Sequence, residues 1–148
     1  MTVEILEQPF DPWRKVGAHE RRLRAGGHGA LALFVGTMRD FNDGDAVEAI
    51  WLEHYPGMTE HCLRRSIEKA RAAHDTVEVL VAHRIGQVFP GDAIVAVAVW
   101  AAHRHDAWAV NRALVEELKS KAPFWKKEKL ADGERWVEHN TPAVVEAA

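Results

Sequence analysis

The chain has 148 residues, 47% of them hydrophobic and 28% charged, the balance of a globular domain long enough to bury its own core. Its net charge of -3 argues against a nucleic-acid partner, and its one cysteine, Cys62, excludes an intrachain disulfide and a cysteine-based zinc cluster. The longest apolar run, Ala93 to Ala102, is about half of what a membrane-spanning helix needs, and no basic segment precedes an apolar run near Met1, so neither a membrane segment nor a signal peptide is expected and the protein is expected in the cytoplasm.

In chain order, Val3 to Leu6 reads as a short strand. Asp11-Pro12 then opens a helix, with Asp11 as N-cap and Pro12 at the first helical position, carrying Trp13, Val16 and Leu23 and ending at Gly26-Gly27. Ala30 to Val35 is a nearly continuous apolar run, expected as a buried strand. Gly36-Thr-Met-Arg39 leaves it, and residues 40–45 form a polar loop rich in turn residues. Val47 to Tyr55 alternates as a strand, expected to form a hairpin with the preceding one, and Pro56-Gly57 breaks it. Residues 58–74 show helical spacing through Met58, Cys62, Ile67 and Ala70, which makes Cys62 a buried, inert thiol.

Val77 to Ile85 is a third strand, and residues 86–92 a turn-rich connection. Ala93 to Ala101 is the most apolar strand and is expected at the centre of a sheet. A helix follows, with Asp106 as its expected N-cap, burying Val110, Leu114 and Leu118 and running to about Lys121. Pro123 forbids its continuation, because proline lacks an N–H and restricts the residue before it. Phe124 to Leu130 is then extended, and Asp132-Gly133 turns it into a last strand, Arg135 to Glu138. Residues 141–148 show no partner pattern and are expected to be a loose tail of a single domain, 1–148. Helices alternate with strands, but the hairpins imply antiparallel pairing, so the fold class is α+β.

The chemistry concentrates around Pro123, where five lysines (Lys119, Lys121, Lys126, Lys127 and Lys129) surround Phe124 and Trp125. In an extended segment Phe124, Lys126 and Glu128 share one face, and Lys119, in the last helical turn, can reach the same pocket as Lys126. Ammonium groups held together disfavour one another's charge, so one lysine can become a base or nucleophile near neutral pH. The alternative is a solvated basic helix end that favours the helix dipole. Arg39, His103 and Arg104 follow two buried strands, where site residues commonly stand, and suit a phosphate or carboxylate. Trp125 offers a stacking surface for a planar ring, and Glu128 can orient a lysine or serve as an ordinary charge partner. Nine histidines invite a metal, but no zinc motif or HExxH is present, and residues 86–91 lack the lysine and hydroxyl of a phosphate loop. No metal and no cofactor is expected.

Six strings taken together resemble the MoaE family, the large catalytic subunit of molybdopterin synthase. They are Phe34-Val-Gly-Thr-Met-Arg39, Leu52-Glu-His-Tyr-Pro-Gly-Met58, His83-Arg-Ile-Gly86 with Pro90-Gly-Asp92, Ala102-His-Arg104, Lys121-Ala-Pro-Phe-Trp-Lys126 with Glu128, and Arg135-Trp-Val-Glu138. The resemblance implies an α/β-hammerhead-type fold with a C-terminal hairpin, a homodimer, and a heterotetramer completed by a small ubiquitin-like, MoaD-like sulfur carrier. The carrier's C-terminal Gly-Gly would enter the active site as a thiocarboxylate. Two sulfurs would then pass to cyclic pyranopterin monophosphate, giving the dithiolene of molybdopterin. In this reading Lys119 and Lys126 are catalytic with Glu128 in support, while Phe34, Arg39, His103, Arg104 and Trp125 bind substrate. The family's arginine at a cross-subunit phosphate site is Asn140 here, with His139 the candidate replacement. A noncatalytic partner-binding module of the same fold is the main rival, and a nucleic-acid binder using lysines beside Phe124 and Trp125 the second; the acidic net charge argues against the latter.

Overall fold

The computed structural model describes residues 1–76 and 78–137. In chain order these form β1 (Thr2–Leu6), α1 (Pro12–Glu20), β2 (Ala30–Thr37), β3 (Phe41–Asn42), β4 (Asp45–Ala46), β5 (Ala49–His54), α2 (Met58–Ala73), β6 (Glu78–Arg84), β7 (Gly86–Val88), β8 (Ala93–Ala101), α3 (Arg104–Ser120), β9 (Phe124–Leu130) and β10 (Gly133–Val137). One four-stranded sheet has the order β1-β6-β8-β2 and a second the order β10-β9-β5-β7, while β3 and β4 form a two-stranded ribbon. Every pair is antiparallel except β1 with β6. The class is α+β, as expected.

Strand β8 is apolar throughout because both of its faces are covered. Val95, Val97 and Val99 join Val79 and Val81 of β6 beneath Leu63, Ile67 and Ala70 of α2 and Val110, Leu114 and Leu118 of α3. Alternate residues Ala98 and Trp100, with Leu80, meet Val16 of α1 on the opposite face. Gly36 of β2 lies so close to β8 that a Cβ there would stand 2.9 Å from Val95 Cγ1, which is why the chain takes glycine at this point. The second sheet closes over a smaller core of Met38, Val47, Ile50, Leu52 and Val88.

Five expectations are corrected. Val47–Tyr55 does not make a hairpin with the strand before it: β2 pairs with β8, and β5 pairs with β7 and β9 in the other sheet. Alternation fixes which face of a strand is buried, not which strand lies beside it. The first helix stops at Glu20, and residues 21–23 continue as a tighter turn in which Arg22 N bonds His19 O and Leu23 N bonds Glu20 O. The N-cap of α3 is His103 rather than Asp106, which sits in the first turn. The turn-rich connection after residue 85 contains a strand, β7.

The buried stripe of α2 is Thr59, Leu63, Ile67 and Ala70, so Met58 is exposed and Cys62 only half-buried. The reason is local. Thr59 Oγ1 accepts from Tyr55 N at 3.0 Å and donates to Pro123 O at 3.3 Å, which turns Thr59 inward and ties the start of α2 to the start of β9. Glu138, His139 and the expected tail lie outside the described residues.

Candidate active site

Helix α3 ends where the sequence requires: Lys121 caps it, with its N–H bonded to Glu117 O, and Pro123 turns the chain into β9. β9 then runs between β5 and β10, with Lys126 opposite Leu52 on one side and Val137 on the other. The bend closes a cavity of about 280 Å³ whose lining includes Lys119, Lys126, Phe124, Trp125, His83 and Leu52. The two lysines expected to share a pocket do so.

Both are electrostatically poised. Burial, then the charges of Lys126 and Arg39, hold the Lys119 amine below the ordinary lysine range. Burial likewise lowers Lys126, with Arg39 adding to the effect and Glu128 and Asp43 opposing it. Arg39 itself is exposed, its guanidinium 4.9 Å from the centre of the Phe41 ring. It is carried toward the lysines by the β3–β4 ribbon, which is pinned to the hairpin β9–β10 through Glu128. That carboxylate is 2% exposed and accepts from Arg135 Nε at 2.9 Å and Asn42 Nδ2 at 3.2 Å. Arg135 also donates to Asp45 Oδ2 at 2.8 Å and to Asn42 O at 3.1 Å. Glu128 thus anchors the Arg39 segment as well as acting on Lys126.

His83 was not singled out from the sequence as a site residue. It is buried at the cavity, stacked on Phe124 with ring centres 3.8 Å apart. Its Nδ1 lies 2.7 Å from Arg84 O, an atom that only accepts, so Nδ1 carries the proton and Nε2 is left as an acceptor. Burial, reinforced by the charges of Lys119 and His54, pushes its pKa down to about 4. The cavity therefore has a neutral, hydrogen-bond-accepting ring beside two lysine amines. The signal for it was two polar residues, His83-Arg84, directly after the apolar run Val79–Ala82.

Trp125 lines the cavity and is 46% exposed, 6.0 Å from the Tyr55 ring, so an aromatic shelf stands at the site. Phe34 is not brought to the lysines; it is half-buried in β2 opposite Val97 and packs against the main core. His103 and Arg104 are exposed at the other end of α3. Fifteen residues of helix, about 22 Å at 1.5 Å each, separate Arg104 from Lys119, so within one chain they cannot touch the same small ligand. A larger groove of about 620 Å³ carries Glu7, Glu53 and Asp92 against Arg84 and His54. Its excess of carboxylates makes it the poorer host for an anion. Among the described residues no helix is long and apolar enough to cross a membrane.

The family model described as MoaE protein matches residues 6–121. A molybdopterin synthase catalytic subunit of Ralstonia nicotianae is 47% identical over 139 residues, spanning 93% of this chain and 77% of that protein. The solved molybdopterin biosynthesis MoaE protein of Burkholderia ambifaria is 43% identical, with a TM-score of 0.78 and coverage of 96% of this chain and 92% of that one. A Helicobacter pylori structure, a complex of subunits 1 and 2 of molybdopterin-converting factor, shares the fold at a TM-score of 0.78 and 20% identity, covering 92% of this chain and 90% of that one.

Proposed function

From the chain's membership of the MoaE family, we propose that it moves sulfur from the C-terminal thiocarboxylate of a small ubiquitin-like carrier onto cyclic pyranopterin monophosphate, twice, to give molybdopterin. The chain is an enzyme of the molybdopterin synthase kind, working in molybdenum cofactor biosynthesis. The observation that carries the mechanism is the pair Lys119 and Lys126 in one small cavity with both amines made less basic.

Each transfer requires the thiocarboxylate sulfur to bond to a carbon of the substrate, displacing an oxygen substituent there. The bond between that sulfur and the carrier's terminal acyl carbon then breaks, with water or an amine taking the acyl group. Lys119 serves either as the base that takes a proton from water or as the amine that accepts the acyl group itself; both roles need an uncharged nitrogen. As the acyl carbon is attacked its oxygen becomes an oxyanion, and Lys126 and Arg39 supply positive charge for it. Glu128 keeps Lys126 protonated for that task and fixes the Arg39 segment. Trp125 supplies a flat apolar surface for the pterin. The sulfur arrives on the partner's carboxyl group, so the half-buried Cys62 on α2 has no part in the chemistry.

His103 and Arg104 enter this scheme through a second copy of the chain. Because they stand about 22 Å along α3 from Lys119, a homodimer is the arrangement in which their charges face the phosphate of a substrate held at the neighbouring lysines. With a carrier on each subunit the assembly is a heterotetramer; the H. pylori complex shows a protein of this fold with a second subunit. Phe34 and His139 are assigned to the substrate side of the site on the family resemblance.

The test is to mix the purified chain with thiocarboxylated carrier and cyclic pyranopterin monophosphate and to quantify dithiolene. Product formation is expected. Carrier binding without product would leave the noncatalytic binding module as the correct reading.

A further inference from the structure

We infer that His74, His105 and Asp106 form a site for one divalent transition-metal ion of the zinc type, at the end of α3 remote from the lysines of the same chain. One ligand atom from each of the three residues lies within 4.8 Å of those of the other two. His74 Nδ1 and Asp106 Oδ1 stand 3.1 Å apart, and the His74 and His105 rings are 6.0 Å apart, centre to centre. Tetrahedral zinc with bonds near 2.0 Å places its ligand atoms about 3.3 Å from one another. The His74–Asp106 pair already has that spacing, and His105, which is exposed, can close the remaining gap by rotating its side chain.

The donor set decides the metal class. Two imidazoles and one carboxylate suit zinc, cobalt or nickel, whereas calcium and magnesium require oxygen ligands. The backbone beneath the donors is fixed. His74 directly follows α2, while His105 and Asp106 lie in the first turn of α3. Ser66 Oγ bonds Glu117 Oε2 at 3.0 Å further along the same two helices, so α2 and α3 pack antiparallel and hold His74 against Asp106. The N-terminus of α3 alone would repel a cation, but the C-terminus of α2 ends at the same place with the opposite dipole, and the Asp106 carboxylate adds negative charge. Three protein ligands leave a fourth position for water or a group from another molecule. No sequence motif announces this site, because its ligands come from two elements separated by three strands.

The ligands His105 and Asp106 follow directly on His103 and Arg104, which the proposed function gives to the neighbouring subunit's substrate, so the test reads metal binding and not activity. Metal-stripped full-length protein is titrated with zinc chloride by calorimetry and with cobalt by its visible absorption. One equivalent per chain is expected, with the intense visible bands of four-coordinate cobalt. His74→Ala and His105→Ala are each expected to weaken zinc binding by roughly tenfold or more. His61→Ala, which removes an exposed histidine elsewhere on α2, is expected to bind as wild type does. Because His105 is exposed, its alanine variant keeps the fold, and circular dichroism checks this. No zinc binding at millimolar concentration would overturn the inference, as would equal affinity in wild type and His105→Ala.

Discussion

Acid should unfold this protein partly through one residue, His83. It is 4% exposed, stacked on Phe124, and held neutral with its pKa pushed by burial from 6.5 to about 4. The unfolded chain takes up a proton near 6.5, whereas the native chain does not until about 4. The contribution is therefore complete above pH 6.5, falls as the pH drops, and is exhausted near pH 4. At about 1.36 kcal/mol per pH unit that window amounts to roughly 3 kcal/mol, most of it lost by pH 4.5. The perturbation is His83→Gln, which removes the titration at similar volume. Urea unfolding of both proteins between pH 7.5 and 4 gives the difference in their stability curves. Glu78 and Glu117, whose pKa values lie below the ordinary carboxylate range, also lose their contribution in acid. They do so in both proteins and cancel. Parallel curves would refute the reasoning and place the His83 ring in contact with water.

Four further outcomes follow from the same structure. Lys119→Met should abolish most product formation, by roughly 100-fold or more, yet raise the melting temperature in calorimetry, because burying that ammonium opposes folding. Lys126→Ala should move the rising, acid-side limb of the pH–rate profile to higher pH, since Lys119 must lose its proton to act and the charge of Lys126 is one of the causes that lower its pKa, whereas Lys126→Arg should leave that limb near its place. Glu128→Leu keeps volume but strips Arg135 and Asn42 of their acceptor, and should cost about 1–3 kcal/mol in urea unfolding. Thr59→Val loses the hydroxyl joining Tyr55 N to Pro123 O and should cost about 1–2 kcal/mol by the same assay.

The parts of the fold legible in the sequence were those with local causes. Pro123 ends α3 whatever surrounds it, Asp11-Pro12 starts α1, and the unbroken apolar run of β8 signals a strand covered on both faces. The lysine pocket was legible for the same reason, since one bend and one strand period bring Lys119 and Lys126 together. What escaped depended on distant partners. The β2–β5 hairpin failed because register and pairing are decided by β7, β8 and β9, which lie far along the chain. Thr59, His83 and Arg135 are ordinary residues in sequence and acquire roles only from Pro123, Phe124 and Glu128 across the fold. The sequence offered His103 and Arg104 as candidates for anion binding, but a single chain does not hold them near the lysines.

The central claim is that Lys119 performs chemistry and does not merely hold the carrier. A single-turnover reaction of Lys119→Ala with thiocarboxylated carrier and cyclic pyranopterin monophosphate tests it most directly, with carrier affinity measured on the same sample. The account predicts carrier affinity close to that of wild type and almost no dithiolene. Dithiolene formed at the wild-type rate would contradict it and move the sulfur-transfer chemistry to Lys126.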